Sequence, residues 1–214
     1  MKGKKMIFDD ILFQTKQYYD KKLDVYGPFP KGVDWNSAQS QELRFEQLLK
    51  IFNTSQYFTL TDYGCGYGAL AGYLAEKGYQ FEYNGFDISV HMIDAARAKY
   101  GSLKNCAFTS DEKDISITDY TVASGIFNVK MRTSDDAWKD YVLRTLGKLA
   151  EISKKGFAFN MLTKYSDPEF MRHNLFYADP LFLFDYCKKN FSRLIAVLHD
   201  YPLYEFTILV RKEE

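Results

Sequence analysis

The chain has 214 residues, of which 46% are hydrophobic and 17% aromatic, enough to bury one sizeable core and too apolar for a disordered segment. Its 28 basic residues are balanced by 28 acidic ones, which gives no general electrostatic pull toward nucleic acid or an anionic membrane surface. The three cysteines, Cys65, Cys106 and Cys187, are far apart and show no metal-ligand spacing, so no metal is expected; with no continuous apolar run for a signal peptide or a bilayer span, the chain reads as cytoplasmic.

Residues 6–25 place Ile7, Phe8, Ile11, Leu12, Thr15, Tyr18, Tyr19 and Leu23 at helical spacing with Lys and Asp opposite, the pattern of an amphipathic helix. Tyr26 to Trp35 carries two prolines and two glycines and is expected to lack regular structure. This aromatic-rich loop is either a lid over a site or a loop pinned to the surface by its rings. Asn36 or Ser37 then caps a helix through Phe52. Residues 1–55 thus read as an N-terminal helical cap, and residues 56–214 as the core.

The core begins with Phe58 to Gly68, F-T-L-T-D-Y-G-C-G-Y-G. A buried strand through Tyr63 runs straight into glycines at 64, 66 and 68, followed by a helix that stops at Gly78. The spacing G-x-G-x-G differs from the G-x-G-x-x-G of dinucleotide enzymes, and no G-K-S or G-K-T phosphate loop occurs. Gly64 and Gly66 let a ligand approach bare main chain, with Cys65 a small filler between them. Asp62, at the carboxyl end of the strand, would repel a pyrophosphate and attract an ammonium group. About twenty residues on, a second strand ends in Asp87, followed by Ile88 and Ser89, where an acid accepts both ribose hydroxyls. An acid for an amine, an acid for a ribose and no phosphate together describe S-adenosylmethionine.

D-Y-G-C-G-Y-G followed by G-F-D-I-S resembles the first and second motifs of the class I S-adenosylmethionine-dependent methyltransferases. The resemblance implies an α/β, Rossmann-like, seven-stranded, mostly parallel sheet with an antiparallel last strand and helices on both faces. The segment D-W-N-S-A-Q-S-Q-E-L-R-F resembles the stretch before the first strand in a small-molecule subset of these enzymes. There an arginine can pair with the cofactor carboxylate. Arg44 is the candidate here, against the plain reading of a solvated helix residue.

The next helix runs from Ser89 through Ala98, and Asn105 to Thr109 forms the third strand. Asp111, with Asp114 as second choice, falls where the family contacts adenine; either is otherwise a loop charge. Asp119 to Asn128 reads as the fourth strand and its exit loop. Ligands sit beyond the carboxyl ends of such strands, so Ser124, Gly125, Ile126, Phe127 and Asn128 should flank the sulfonium and the acceptor. The N-P-P-Y or D-P-P-Y of amino-group DNA methylation is absent here. A helix spans Asp135 to Ser153 and is closed by Lys154-Lys155-Gly156; the fifth strand is Gly156 to Leu162. After the polar insert Thr163 to Asn174 comes a helix to about Asn190, then strands at Leu194 to His199 and Leu203 to Arg211.

Methyl transfer from a sulfonium requires alignment and exclusion of water, and a base only where the acceptor must lose a proton. His173, in the insert on the acceptor side, is the candidate base; His91 and His199 read as cofactor-side and structural residues. Tyr19, Tyr26, Trp35 and Tyr177 would wall the acceptor pocket, or simply pack. The expected partner is a small-molecule acceptor, with no nucleic acid and no membrane; neither the acceptor nor the oligomeric state is legible. RNA or protein methylation and a non-catalytic cofactor-binding subunit stand as alternatives.

Overall fold

A computed structural model describes residues 2–213, with side chains from Met6 onward. The strands are β1 (Phe58–Tyr63), β2 (Phe81–Phe86), β3 (Cys106–Thr109), β4 (Thr118–Ala123), β5 (Ser153–Leu162), β6 (Leu194–Leu198) and β7 (Glu205–Arg211). They form one sheet in the order β3-β2-β1-β4-β5-β7-β6. β1 to β5 pair in parallel, and β7 lies antiparallel between β5 and β6. This is the Rossmann-like sheet expected from the motifs, with the strand order reversing at β1 and β4. Their carboxyl ends therefore open onto one crevice.

Six α-helices accompany the sheet among the described residues: α1 (Lys2–Tyr26), α2 (Ala38–Leu49), α3 (Ala69–Glu76), α4 (Val90–Tyr100), α5 (Asp135–Glu151) and α6 (Pro180–Asn190). Most start on a side-chain cap: Ser37 and Ser40 form a reciprocal capping box, while Ser89, Ser134 and Asp179 accept from main-chain N–H groups in their first turns. The central strands are apolar on both faces, as burial by helices on each side demands. One core cluster gathers α2, α3 and α4 around Leu60, Leu74 and Ile93; the other gathers Trp138, Leu146, Phe157 and Phe206, and reaches Ile11 of α1.

Two local expectations change. The Pro/Gly stretch contains a 3-10 turn at Pro30–Val33 with proline at its start, because proline already holds a helical φ and has no N–H to leave unbonded. Lys154 and Lys155 begin β5 instead of closing a helix; Lys155 pairs with Asp119 of the neighbouring strand at 3.3 Å. Of residues 1–55, α1 and the 3-10 turn lie over the strand ends, whereas α2 packs on the sheet with Phe45, Leu48 and Leu49 buried.

The turn after β1 fixes the floor of the crevice. Gly64 adopts φ 84°, and a Cβ there would come within 2.2 Å of Ile126 Cγ2. Only glycine lets the chain leave the strand this sharply with the β4 loop lying against it.

Candidate active site

Two cavities meet over the carboxyl ends of the strands. The first is lined by Asp62, Gly64, Cys65, Gly66, Asp87, Ile88, Ser124 and Gly125 from the sheet side, and by Leu12, Thr15, Lys16 and Tyr19 from α1. It has about 940 Å³ of empty volume including its mouth. The second, about 1930 Å³ by the same measure, takes in Tyr19, Tyr26, Trp35, Asn128, Tyr177 and Glu205. Tyr19, Val33, Trp35 and Gly125 border both.

The two acids of the first cavity are held by different means. Asp62 is buried and its Oδ2 accepts the Tyr83 hydroxyl at 2.8 Å. Loss of water pushes its carboxyl up to about 7, against the Tyr83 hydrogen bond, which lowers it. Asp87 accepts the Ser89 N–H on Oδ1 and the Gly66 N–H on Oδ2, both at 2.9 Å. Desolvation raises it to about 6, and these two main-chain bonds hold it from rising further. Each Asp87 oxygen keeps a lone pair for a further donor. Burial drives the Cys65 thiol far above its ordinary range, so it is a neutral filler.

A cationic and polyhydroxylated ligand fits this lining. The buried hydroxyls of Thr15 and Ser124 have no hydrogen-bond partner, and both residues line the cavity. Buried polar groups in folded proteins are nearly always bonded, and these two are free to bond polar atoms of a ligand. Two carboxylates, Asp62 buried and Asp87 half-buried, with no ion pair to a basic side chain among the described residues, favour a positive group.

Other sequence candidates lie elsewhere. Arg44 does not reach the first cavity: its Nε and Nη2 donate to Glu205 at 2.6–3.0 Å, its Nη1 donates to the Ser40 carbonyl, and its guanidinium stacks on Trp35 at 3.9 Å. Asp111 is exposed and caps a short 3-10 turn through the Lys113 N–H, and Asp114 borders a different, smaller groove. His173 is exposed and borders neither cavity. Phe127 is a core residue, fully buried, whose carbonyl accepts the Trp138 indole N–H at 2.8 Å. Asn128 and Tyr177 do border the second cavity, where Asn128 Oδ1 accepts the Leu162 N–H and the Tyr177 hydroxyl accepts the Arg172 N–H.

Three lining residues escaped the sequence reading as site residues. Leu12, Thr15 and Lys16 lie three, four and seven positions from one another and from the expected Tyr19, the stripe one helix face presents, yet the same pattern describes a purely packing helix. Asp20 accepts the Ser89 hydroxyl, which ties α1 to the residue that caps α4 two positions after Asp87.

A family model described as "Methyltransferase domain" matches residues 61–151. The chain is 46% identical over 164 residues to the Mycobacterium tuberculosis (strain ATCC 25618 / H37Rv) protein named "Putative methyltransferase Rv1506c", covering 77% of this chain and 99% of that one. Among solved structures it superposes on N-methyltransferase NodS from Bradyrhizobium japonicum WM9 in complex with S-adenosyl-L-homocysteine, with TM-score 0.64, 13% identity and coverage of 94% and 99% of the two chains. It also superposes on the complex of DhpI with SAH, with TM-score 0.62, 15% identity and coverage of 96% and 99%.

Proposed function

The chain belongs to the class I S-adenosylmethionine-dependent methyltransferases, and on that premise we propose that it binds S-adenosylmethionine in the first cavity and methylates a small-molecule acceptor held in the second. The observation that carries this reading is the shared boundary: Tyr19, Val33, Trp35 and Gly125 touch both cavities, so two bound molecules would meet there. S-adenosylmethionine supplies a methyl group on a positively charged sulfur, whose departure leaves a neutral thioether.

The chain's own residues then bind, orient and exclude water. Asp62 faces the ammonium group, Asp87 accepts the ribose hydroxyls, and Thr15 and Ser124 offer their free hydroxyls to the remaining polar atoms. Tyr19 borders the meeting point, and burial raises its pKa well above the ordinary value. It therefore stays a neutral hydroxyl at physiological pH and orients an acceptor by hydrogen bonding, without serving as a ready base. The second cavity is bordered by both signs of charge, Lys22, Lys31, Arg44 and Arg172 against Asp34, Glu169 and Glu205, which suits an acceptor of low net charge. Three free cysteines fit a reducing cytoplasm.

The test is incubation of the protein with methyl-labelled S-adenosylmethionine and a fractionated cell extract, followed by mass spectrometry of small molecules, protein and RNA. Label in a low-molecular-weight product is expected. Label confined to protein or RNA would remove the acceptor class, and no labelled product in any fraction would leave a binding protein without turnover.

A further inference from the structure

Five residues form a closed ring where the two cavities meet. The Gly125 N–H donates to Asn160 Oδ1 at 2.8 Å, and Asn160 Nδ2 donates to Glu205 Oε2 at 2.7 Å. Glu205 receives Nε and Nη2 of Arg44, which stacks on Trp35, and the Trp35 ring lies back over Gly125. A Cβ on Gly125, whose φ is 74°, would come within 2.4 Å of Trp35 Cζ2. The ring thus draws on the loop before α2, α2 itself, the β4 exit loop, β5 and β7.

The polar members are deeply buried: Asn160 is 0% exposed, Glu205 1% and Arg44 7%. A buried ion pair gains little stability over an apolar pair of similar size, because removing both charges from water offsets their attraction. Stability alone therefore explains this ring poorly. What the ring does accomplish is geometric. Its outer members, Trp35 and Gly125, are two of the four residues bordering both cavities, and its inner members leave each of them little freedom to move. A planar guanidinium matches both the carboxylate fork and the indole face, whereas a lysine offers a point charge with no plane to stack or fork to pair bidentately.

We infer that Arg44, Glu205 and Asn160 are positioning residues that hold Trp35 and the Gly125 main chain at the boundary between donor and acceptor, and so couple the acceptor wall to the cofactor cavity. The inference rests on the reading of the first cavity as the S-adenosylmethionine site. Arg44 thereby acts on the cofactor indirectly, through Trp35 and Gly125, instead of binding its carboxylate.

The chain's two tryptophans, Trp35 and Trp138, give a readout that separates position from stability. With 5-fluorotryptophan incorporated, each gives one 19F resonance, assigned with Trp35→Phe; Trp138 is fully buried and reports on the core. In Arg44→Lys and Glu205→Gln, the Trp35 resonance should shift and broaden while that of Trp138 stays in place. Affinity for S-adenosylhomocysteine should fall about tenfold by calorimetry, although neither residue borders its cavity. An unmoved Trp35 resonance, or affinity within about twofold of wild type, in both variants would overturn the inference. Arg44→Lys retains the charge opposite Glu205 and decides the matter alone should Glu205→Gln fail to fold. Failure of the wild-type protein to bind S-adenosylhomocysteine is a different result, which removes the function proposed above and with it the coupling.

Discussion

Asp62 and Asp87 are carboxyls whose surroundings favour the neutral form. Asp62 is buried and Asp87 half-buried, desolvation raises their pKa values from 3.8 to about 7 and about 6, and neither is paired with a cation among the described residues. An incoming ammonium favours ionised Asp62 and pulls its pKa down, so binding below pH 7 must release a proton. Affinity for S-adenosylhomocysteine should therefore rise between pH 5.5 and 7.5, and calorimetry in buffers of different ionisation enthalpy should show net proton release at pH 6. Asp62→Asn keeps the shape and the contact with Tyr83 but removes the charge; its binding should be weaker and its proton release diminished. A pH-independent affinity in the wild type would place the amine elsewhere. Asp87→Ala, which removes the proposed acceptor for the two ribose hydroxyls, should cost roughly a hundredfold or more in affinity.

At the scale of elements, α1 decides access. It borders both cavities through Tyr19 and is anchored at Ile11, which is 2% exposed. Asp20 fastens it to Ser89, and Lys22 and Tyr18 fasten it to Asp34 at 2.6 and 2.7 Å. A helix held over a crevice by one buried side chain, two half-buried ones and a few polar contacts opens at lower free energy than the sheet beneath it. Hydrogen exchange should find the α1 amides exchanging faster than those of β1 and β4, slowed by S-adenosylhomocysteine, and faster again in Asp20→Ala with the sheet unchanged. Exchange in α1 that ignores the ligand would show that the helix is no roof to the site.

The same scale explains what could be read in advance. The glycine turn after β1 is legible because positive φ at Gly64, Gly66 and Gly68 favours glycine. So are the alternating or β-branched strands and the serine-capped helices. Arg44 was misplaced because its partner Glu205 is 161 positions away; periodicity reveals that a side chain faces inward and is silent on what it meets there. Phe127 shows the converse: its loop does reach the crevice through Ser124 to Ile126, yet the next side chain turns into the core.

For the whole molecule, the raised carboxyls make stability depend on pH in a definite direction. A group whose folded-state pKa exceeds its unfolded value contributes stability fully below the unfolded pKa, and that contribution is lost as pH rises through the folded one. For Asp62 and Asp87 the loss is complete above about 7 and about 6, with a ceiling on the order of a few kcal/mol for each. The ligand-free protein should therefore melt at a higher temperature at pH 5.5 than at pH 8. On the proposed reading, S-adenosylhomocysteine brings a cation to Asp62 and hydroxyls to Asp87 and so compensates the ionised forms, and the increase in Tm that it produces should be larger at pH 7.5 than at pH 5.5. The two effects are linked through the same protons: the affinity gained and the ligand-free stability lost over this range arise from one pair of carboxyls. Asp62→Asn should flatten both curves together. A variant that flattened the melting curve but left the affinity profile unchanged would mean that Asp62 strains the empty fold without ever meeting the ligand's amine.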